Sequence, residues 1–246
     1  MSFFFKTMES IPEGVGFPLF RAVHWMWLSV FIVVTVFCCL WYPKLQPAGK
    51  QRWKTWVVVL LIADELFKMA VLLITKGYLW GYLPLHLCSI NLFLILWHRV
   101  RPSALLGNFL YAVCIPGALA ALLFPAWSSL PLVNALHIHS FTAHILLALY
   151  PIVLTAAGEI QPDIGKLPLC MVLLLGLAAL VYGLNLLLNT NFMFLMYAPF
   201  GNPLYWFEQH WGNHLYGFPV IAMGVLTVMY LPVVLRNKSK KIPKIQ

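Results

Sequence analysis

A chain of 246 residues that is 62% hydrophobic and 9% charged, with a mean hydropathy of +0.85, is excluded from the soluble domains, which carry about 25% charged residues. Its formal charge of +9 comes from 16 Lys and Arg against 7 Asp and Glu. These cations fall in short loops between apolar stretches, so they read as membrane topology, and no nucleic-acid partner is expected.

Residues 1–22 alternate Phe3, Phe4, Phe5, Ile11, Phe17 and Phe20 with Glu9, Pro12, Glu13 and Gly14. They lack the basic start, apolar core and small-residue cleavage site of a signal peptide, and are expected to lie along the outer surface. Seven apolar stretches follow, each near the ~20 residues that cross a bilayer: 25–42, 53–75, 83–98, 104–124, 136–157, 167–188 and 213–235. The third is the shortest, and the seventh is the most interrupted, by Gly217, Pro219 and Gly224. The expected fold is all-α, a polytopic membrane bundle of about seven transmembrane helices. It forms one domain over residues 1–246 and ends in a basic tail at 236–246.

Seven spans put the first, third and fifth loops and the tail on one side. That side collects Lys44, Lys50, Arg52 and Lys54, then Arg99 and Arg101, then Lys166, then Arg236, Lys238, Lys240, Lys241 and Lys244. The opposite side has Lys6, Arg21 and Lys76. The positive-inside rule therefore puts the N-terminus outside and the C-terminus in the cytoplasm, as a multi-pass protein of the cell membrane.

This orientation gives each polar residue a depth. In the second stretch Asp64, Glu65 and Lys68 lie mid-membrane. Glu65 and Lys68 are three apart and can pair on one face, while Asp64 has no evident partner. The pair can simply fix helix packing, or the three residues can mark a proton or ion pathway.

The third stretch is expected to start outside near Leu83, with Pro84 in its first turn. Cys88 then lies roughly 6 Å and Asn91 roughly 10 Å below that start, on one face. His86, about 200° around the helix from Cys88, is expected to point away. In the fifth stretch His137 and His144 share a face, His139 looks elsewhere, and His144 lies on the order of 12 Å below the start. The sixth stretch brings Asn185 and Asn189 to the same leaflet, and the loop beyond adds Asn191.

A thiol beside an imidazole is the minimum for nucleophilic acyl transfer, because His can take the proton of the attacking sulfur. Carboxamides can orient that His or stabilise an oxyanion. The same residues also serve as ordinary glue between membrane helices. A metal centre is not expected, since His137 and His139 diverge on a helix and no carboxylate completes a ligand set. No cofactor is expected either. The five cysteines are too scattered for a disulfide framework, and the ten tryptophans are expected mainly in interfacial belts.

The run Leu83-Pro84-Leu85-His86-Leu87-Cys88, followed by Asn91, resembles the signature of the YwaF-like membrane proteins, relatives of the eukaryotic transmembrane protein 164 family. Glu65 with Lys68, the run from Ser140 to His144, and the run from Asn189 to Leu195 agree in order. The resemblance extends over residues 53–235 and its short termini are similar to the bacterial branch. It implies a helical domain of six or seven spans and, from the eukaryotic branch, transfer of fatty acyl chains between phospholipids, with Cys88 and His144 as the essential pair. The expectation is an outer-leaflet enzyme acting on membrane phospholipids or other acyl lipids. The alternative is a non-enzymatic transporter or lipid-binding protein using Asp64, Glu65 and Lys68.

Overall fold

The computed structural model describes residues 3–199 and 201–241, with side chains through Arg236; Lys244 of the basic tail lies outside the described residues. A long apolar run that must satisfy its backbone hydrogen bonds internally becomes a helix. Among the described residues there are helices and no strands: α1 (Ala22–Trp41), α2 (Pro47–Ile74), α3 (Leu87–Val100), α4 (Ala104–Leu123), α5 (Ala135–Ala156), α6 (Leu167–Leu188), α7 (Pro203–Trp211) and α8 (Gly217–Lys241). Within α4, residues Leu110–Cys114 form a π-helical turn. It ends just before Pro116, which has no N–H to offer the carbonyl one turn back.

Among the described residues six helical segments, built on α1, α3, α4, α5, α6 and α8, are long and apolar enough to cross a membrane. The 28-residue α2 has the length, but Asp64, Glu65 and Lys68 interrupt its apolar run. Helix α5 is the centre of the bundle, packed upon by α1, α2, α3 and α4. Helices α6 and α8 are peripheral. They meet α4 through Phe109, Val113, Cys170 and Tyr230, and they leave Leu175, Leu187, Met223 and Val228 exposed, as a lipid-facing surface requires.

At one end of the bundle the N-terminal segment forms a packed cap. Asn134 is fully buried and caps α5, its Oδ1 accepting from the Leu136 and His137 N–H groups while its Nδ2 donates to the Phe3 and Lys6 carbonyls at 2.7 and 2.9 Å. Gly16 passes so close to the 128–129 backbone that a Cβ would lie 2.1 Å from the Ser128 oxygen. This close approach lets Phe17 enter the core beside Leu28, Leu122 and Phe141.

At the opposite end Glu159 gathers three elements. Tyr42 Oη donates to it at 2.7 Å and Lys54 Nζ at 3.0 Å, with Lys50 at 4.0 Å. Burial works against the charge on Glu159. The hydroxyl and the two ammonium groups outweigh it and hold the carboxyl below the usual carboxylate range.

Two expectations need correction. Helix α3 begins at Leu87, not at Leu83: Pro84 lies outside it, after a 3-10 turn at Trp80–Tyr82, with His86 in extended conformation as the N-cap. The connection after α6, read as a loop, contains a 3-10 turn at Phe192–Phe194 and the helix α7, opened by Asn202, whose Oδ1 accepts the Leu204 N–H.

Candidate functional site

Cys88 is the second residue of α3, in a first turn whose free N–H groups and dipole favour an anion. Its thiol is within electrostatic range of the ring of His144 on α5. Both residues are half-buried rather than sealed. His144 Nδ1 lies 2.6 Å from the Ser140 carbonyl oxygen. A carbonyl only accepts, so Nδ1 carries the hydrogen and Nε2 keeps the lone pair.

Trp127 stacks on His144 with ring centroids 5.0 Å apart and planes 18° from parallel. It is buried, and its indole N–H has no partner among the described residues. One turn below Cys88, Asn91 is 2% exposed with its Oδ1 unpaired. Unpaired buried polar atoms are few in native proteins, and these two lie on residues next to the thiol and the imidazole.

The charges of α2 belong to the same neighbourhood. Lys68 Nζ is 2.5 Å from Glu65 Oε1, and Lys68 is within electrostatic range of both Cys88 and His86. Asp64, which has no evident partner in the sequence, lies 2.8 Å from His139 Nδ1 and accepts from Thr142 Oγ1 at 3.0 Å. The His139 contact is close but poorly aligned, and both atoms lack a directed hydrogen bond. Asp64 also acts electrostatically on His144. His139, expected to look elsewhere, looks toward α2.

His86 is the N-cap and lies outside the helix, so the loop after α6 sets its direction, not helical phase. Its Nδ1 accepts from the Met193 N–H at 3.3 Å, and its ring meets Phe192 and Phe194. It is within electrostatic range of His144. Met193 and Phe194 both have left-handed backbones, with φ of 57° and 55°. Non-glycine residues occupy that region at a cost and are held there by their surroundings.

Other candidates are committed elsewhere. His137 accepts from Trp27 Nε1 at 2.9 Å, and its Nδ1 meets the Leu130 oxygen at 3.0 Å, so both ring nitrogens are used. Asn185 bonds Thr190 and both backbone groups of Phe192. Asn189 ends α6 in a left-handed conformation, and Asn191 ties Met196 and Tyr197. These three build the loop that holds His86 in place; none touches His144 in a hydrogen bond. Trp127, Thr142 and Asn134 escaped the sequence reading. Asn134 alone had a signal, as an Asn directly before an apolar run.

All five cysteines are free thiols, and among the described residues no cluster of three His, Cys, Asp or Glu could hold a metal ion. No curated protein and no solved structure matches the chain. The model of the TMEM164 family matches residues 19–230, a stretch that contains every residue of this site. The chain therefore belongs to the TMEM164 family of membrane proteins.

Proposed function

We propose that this protein is a membrane-embedded enzyme that transfers or hydrolyses fatty acyl groups of phospholipids, with Cys88 as nucleophile and His144 as general base. The observation that carries the reading is a half-buried thiol within electrostatic range of an imidazole whose Nδ1 is turned to the Ser140 carbonyl, which leaves the Nε2 lone pair free. In the first half-reaction the Cys88 proton passes to His144 Nε2 while sulfur attacks the ester carbonyl. The ester C–O bond breaks, His144 returns the proton to the leaving alkoxide, and a thioester remains. In the second half a hydroxyl of a lysolipid or of water gives its proton to His144 and attacks the thioester, which restores the thiol. Asn91, one turn below, would offer its side-chain N–H to the substrate carbonyl oxygen.

The test is the alkylation rate of Cys88 by iodoacetamide near neutral pH, followed by peptide mass. His144→Gln removes the proton acceptor and should slow the reaction by about a hundredfold, the low end for loss of a general base. His86→Gln should have a smaller effect. Rates that ignore His144 but fall with His86→Gln would assign the base role to His86.

The reading includes a seven-span topology in the cell membrane, N-terminus outside, in the YwaF-like bacterial branch. Its support is the course of α2. That helix leaves the Glu159 end of the bundle and arrives at the N-terminal cap, where Gly77 meets Thr7. It presents Trp56, Leu66 and Ile74 outward while turning Asp64 and Lys68 toward α5 and α3. An impermeant lysine reagent on intact cells should label Lys76 and spare Lys240; labelling of Lys240 alone would invert the topology.

A transporter is the second reading, favoured by the buried ionic groups along α2, which continue through His139 toward His144.

A further inference from the structure

The Glu159 end of the bundle holds a cleft of about 660 Å³ between α2, the end of α3, the start of α4 and the 159–161 connection. It is far from Cys88 along α3: ten residues separate Cys88 from His98, or about 15 Å of helix. Lys54, His98, Arg99 and Gln161 line it, with Gly107 at its wall.

His98 is only 7% exposed. Its Nδ1 is 3.1 Å from Tyr150 Oη, and among the described residues that hydroxyl has no other acceptor, so it donates to Nδ1. The ring hydrogen then sits on Nε2, which makes no hydrogen bond among the described residues. Nε2 lies beside bare Gly107 backbone, 3.7 Å from where a Cβ would stand, so the absence of a side chain there keeps the donor open to the cleft. Arg99 uses Nε and Nη2 on Thr55 Oγ1, which aims its guanidinium and leaves Nη1 free. Lys54 is held by Glu159 at 3.0 Å with its remaining hydrogens available. Glu159 is the opposing carboxylate, and it is already engaged by Tyr42, Lys54 and Lys50.

We infer that this cleft binds a phosphate group, and that its source is an anionic phospholipid headgroup. A buried neutral N–H donor, a positioned guanidinium and a tethered ammonium make a charge-assisted donor set for phosphate oxygens. The cleft lies at the end of membrane-spanning helices, where headgroups are concentrated. A zwitterionic lipid carries the same phosphate but tethers a cation to it, which Lys54 and Arg99 repel. The inference is independent of the chemistry at Cys88.

Native mass spectrometry of the detergent-purified full chain tests it, with dioleoylphosphatidylglycerol and dioleoylphosphatidylcholine offered together. The glycerol lipid should be retained preferentially. Arg99→Gln should reduce its retention about tenfold, the loss expected for one charge-assisted bond. Gln161→Glu, at an exposed position that leaves packing intact, should reduce it as well. Excess inorganic phosphate should leave the lipid bound; displacement by phosphate would make the site one for a free anion. Equal retention of the two lipids, or retention that both variants leave unchanged, would overturn the inference.

Discussion

Cys88→Ser should lower lipid turnover about a thousandfold or more, the usual scale for loss of a nucleophile, while the protein still inserts and purifies as a helical, monodisperse species. A hydroxyl is close in volume to a thiol but far less acidic than an ordinary thiol at about 8.5. The packing of the first turn of α3 therefore survives while the attacking atom loses its reactivity. Cys114 is the control. It is fully buried and its Sγ donates to the Leu147 carbonyl at 3.3 Å, so Cys114→Ser should leave turnover nearly intact. A radiolabelled acyl-transfer assay on both purified variants reads the contrast. Turnover that persists in Cys88→Ser would reduce Cys88 to a packed thiol.

Removing one member of the Glu65–Lys68 pair should harm the protein more than removing both. Each side chain is largely buried, 18% and 12% exposed, at 2.5 Å separation. An unpaired buried charge costs about 3–5 kcal/mol, whereas apolar replacement of a whole pair is near neutral. Glu65→Gln and Lys68→Met should therefore each lower the midpoint of thermal unfolding in detergent, and the double variant should recover most of the loss. Lys68 also faces His86 and Cys88 electrostatically, so the double variant should regain stability without regaining full activity. Single variants that fold normally but lose proton-coupled uptake would move the function from acyl chemistry to transport.

Hydropathy carried most of the helical layout because a bilayer demands long apolar runs whatever their neighbours. The sixth stretch, 167–188, matches Leu167–Leu188, and the fourth matches Ala104–Leu123 to a residue. The start of α3 was misplaced because residues 83–86 are as apolar as the helix itself; only the extended backbone at His86 separates them. That shift also undid the phase argument for His86. Depth along the helices suggested one level for Cys88, Asn91 and His144, counted from a start of α3 that the structure moves to Leu87. It could not tell a carboxamide that lines a site from one that builds a loop, and Asn185 proved to be the latter. Trp127 was invisible as a site residue because its burial against His144 comes from a loop, not from any periodicity. Asp64 looked solitary because its partners, His139 and Thr142, lie more than seventy positions away in sequence.

The account stands most directly on whether Cys88 carries an acyl group during turnover. Purified protein exposed to phospholipid with labelled acyl chains, quenched in acid and digested, should show the mass of one acyl chain on the Cys88 peptide, released by neutral hydroxylamine as a thioester is. The adduct should be absent from Cys88→Ser and should form more slowly in His144→Gln. Turnover of lipid with no adduct at Cys88, or an adduct that forms equally well on the other cysteines, would contradict the account.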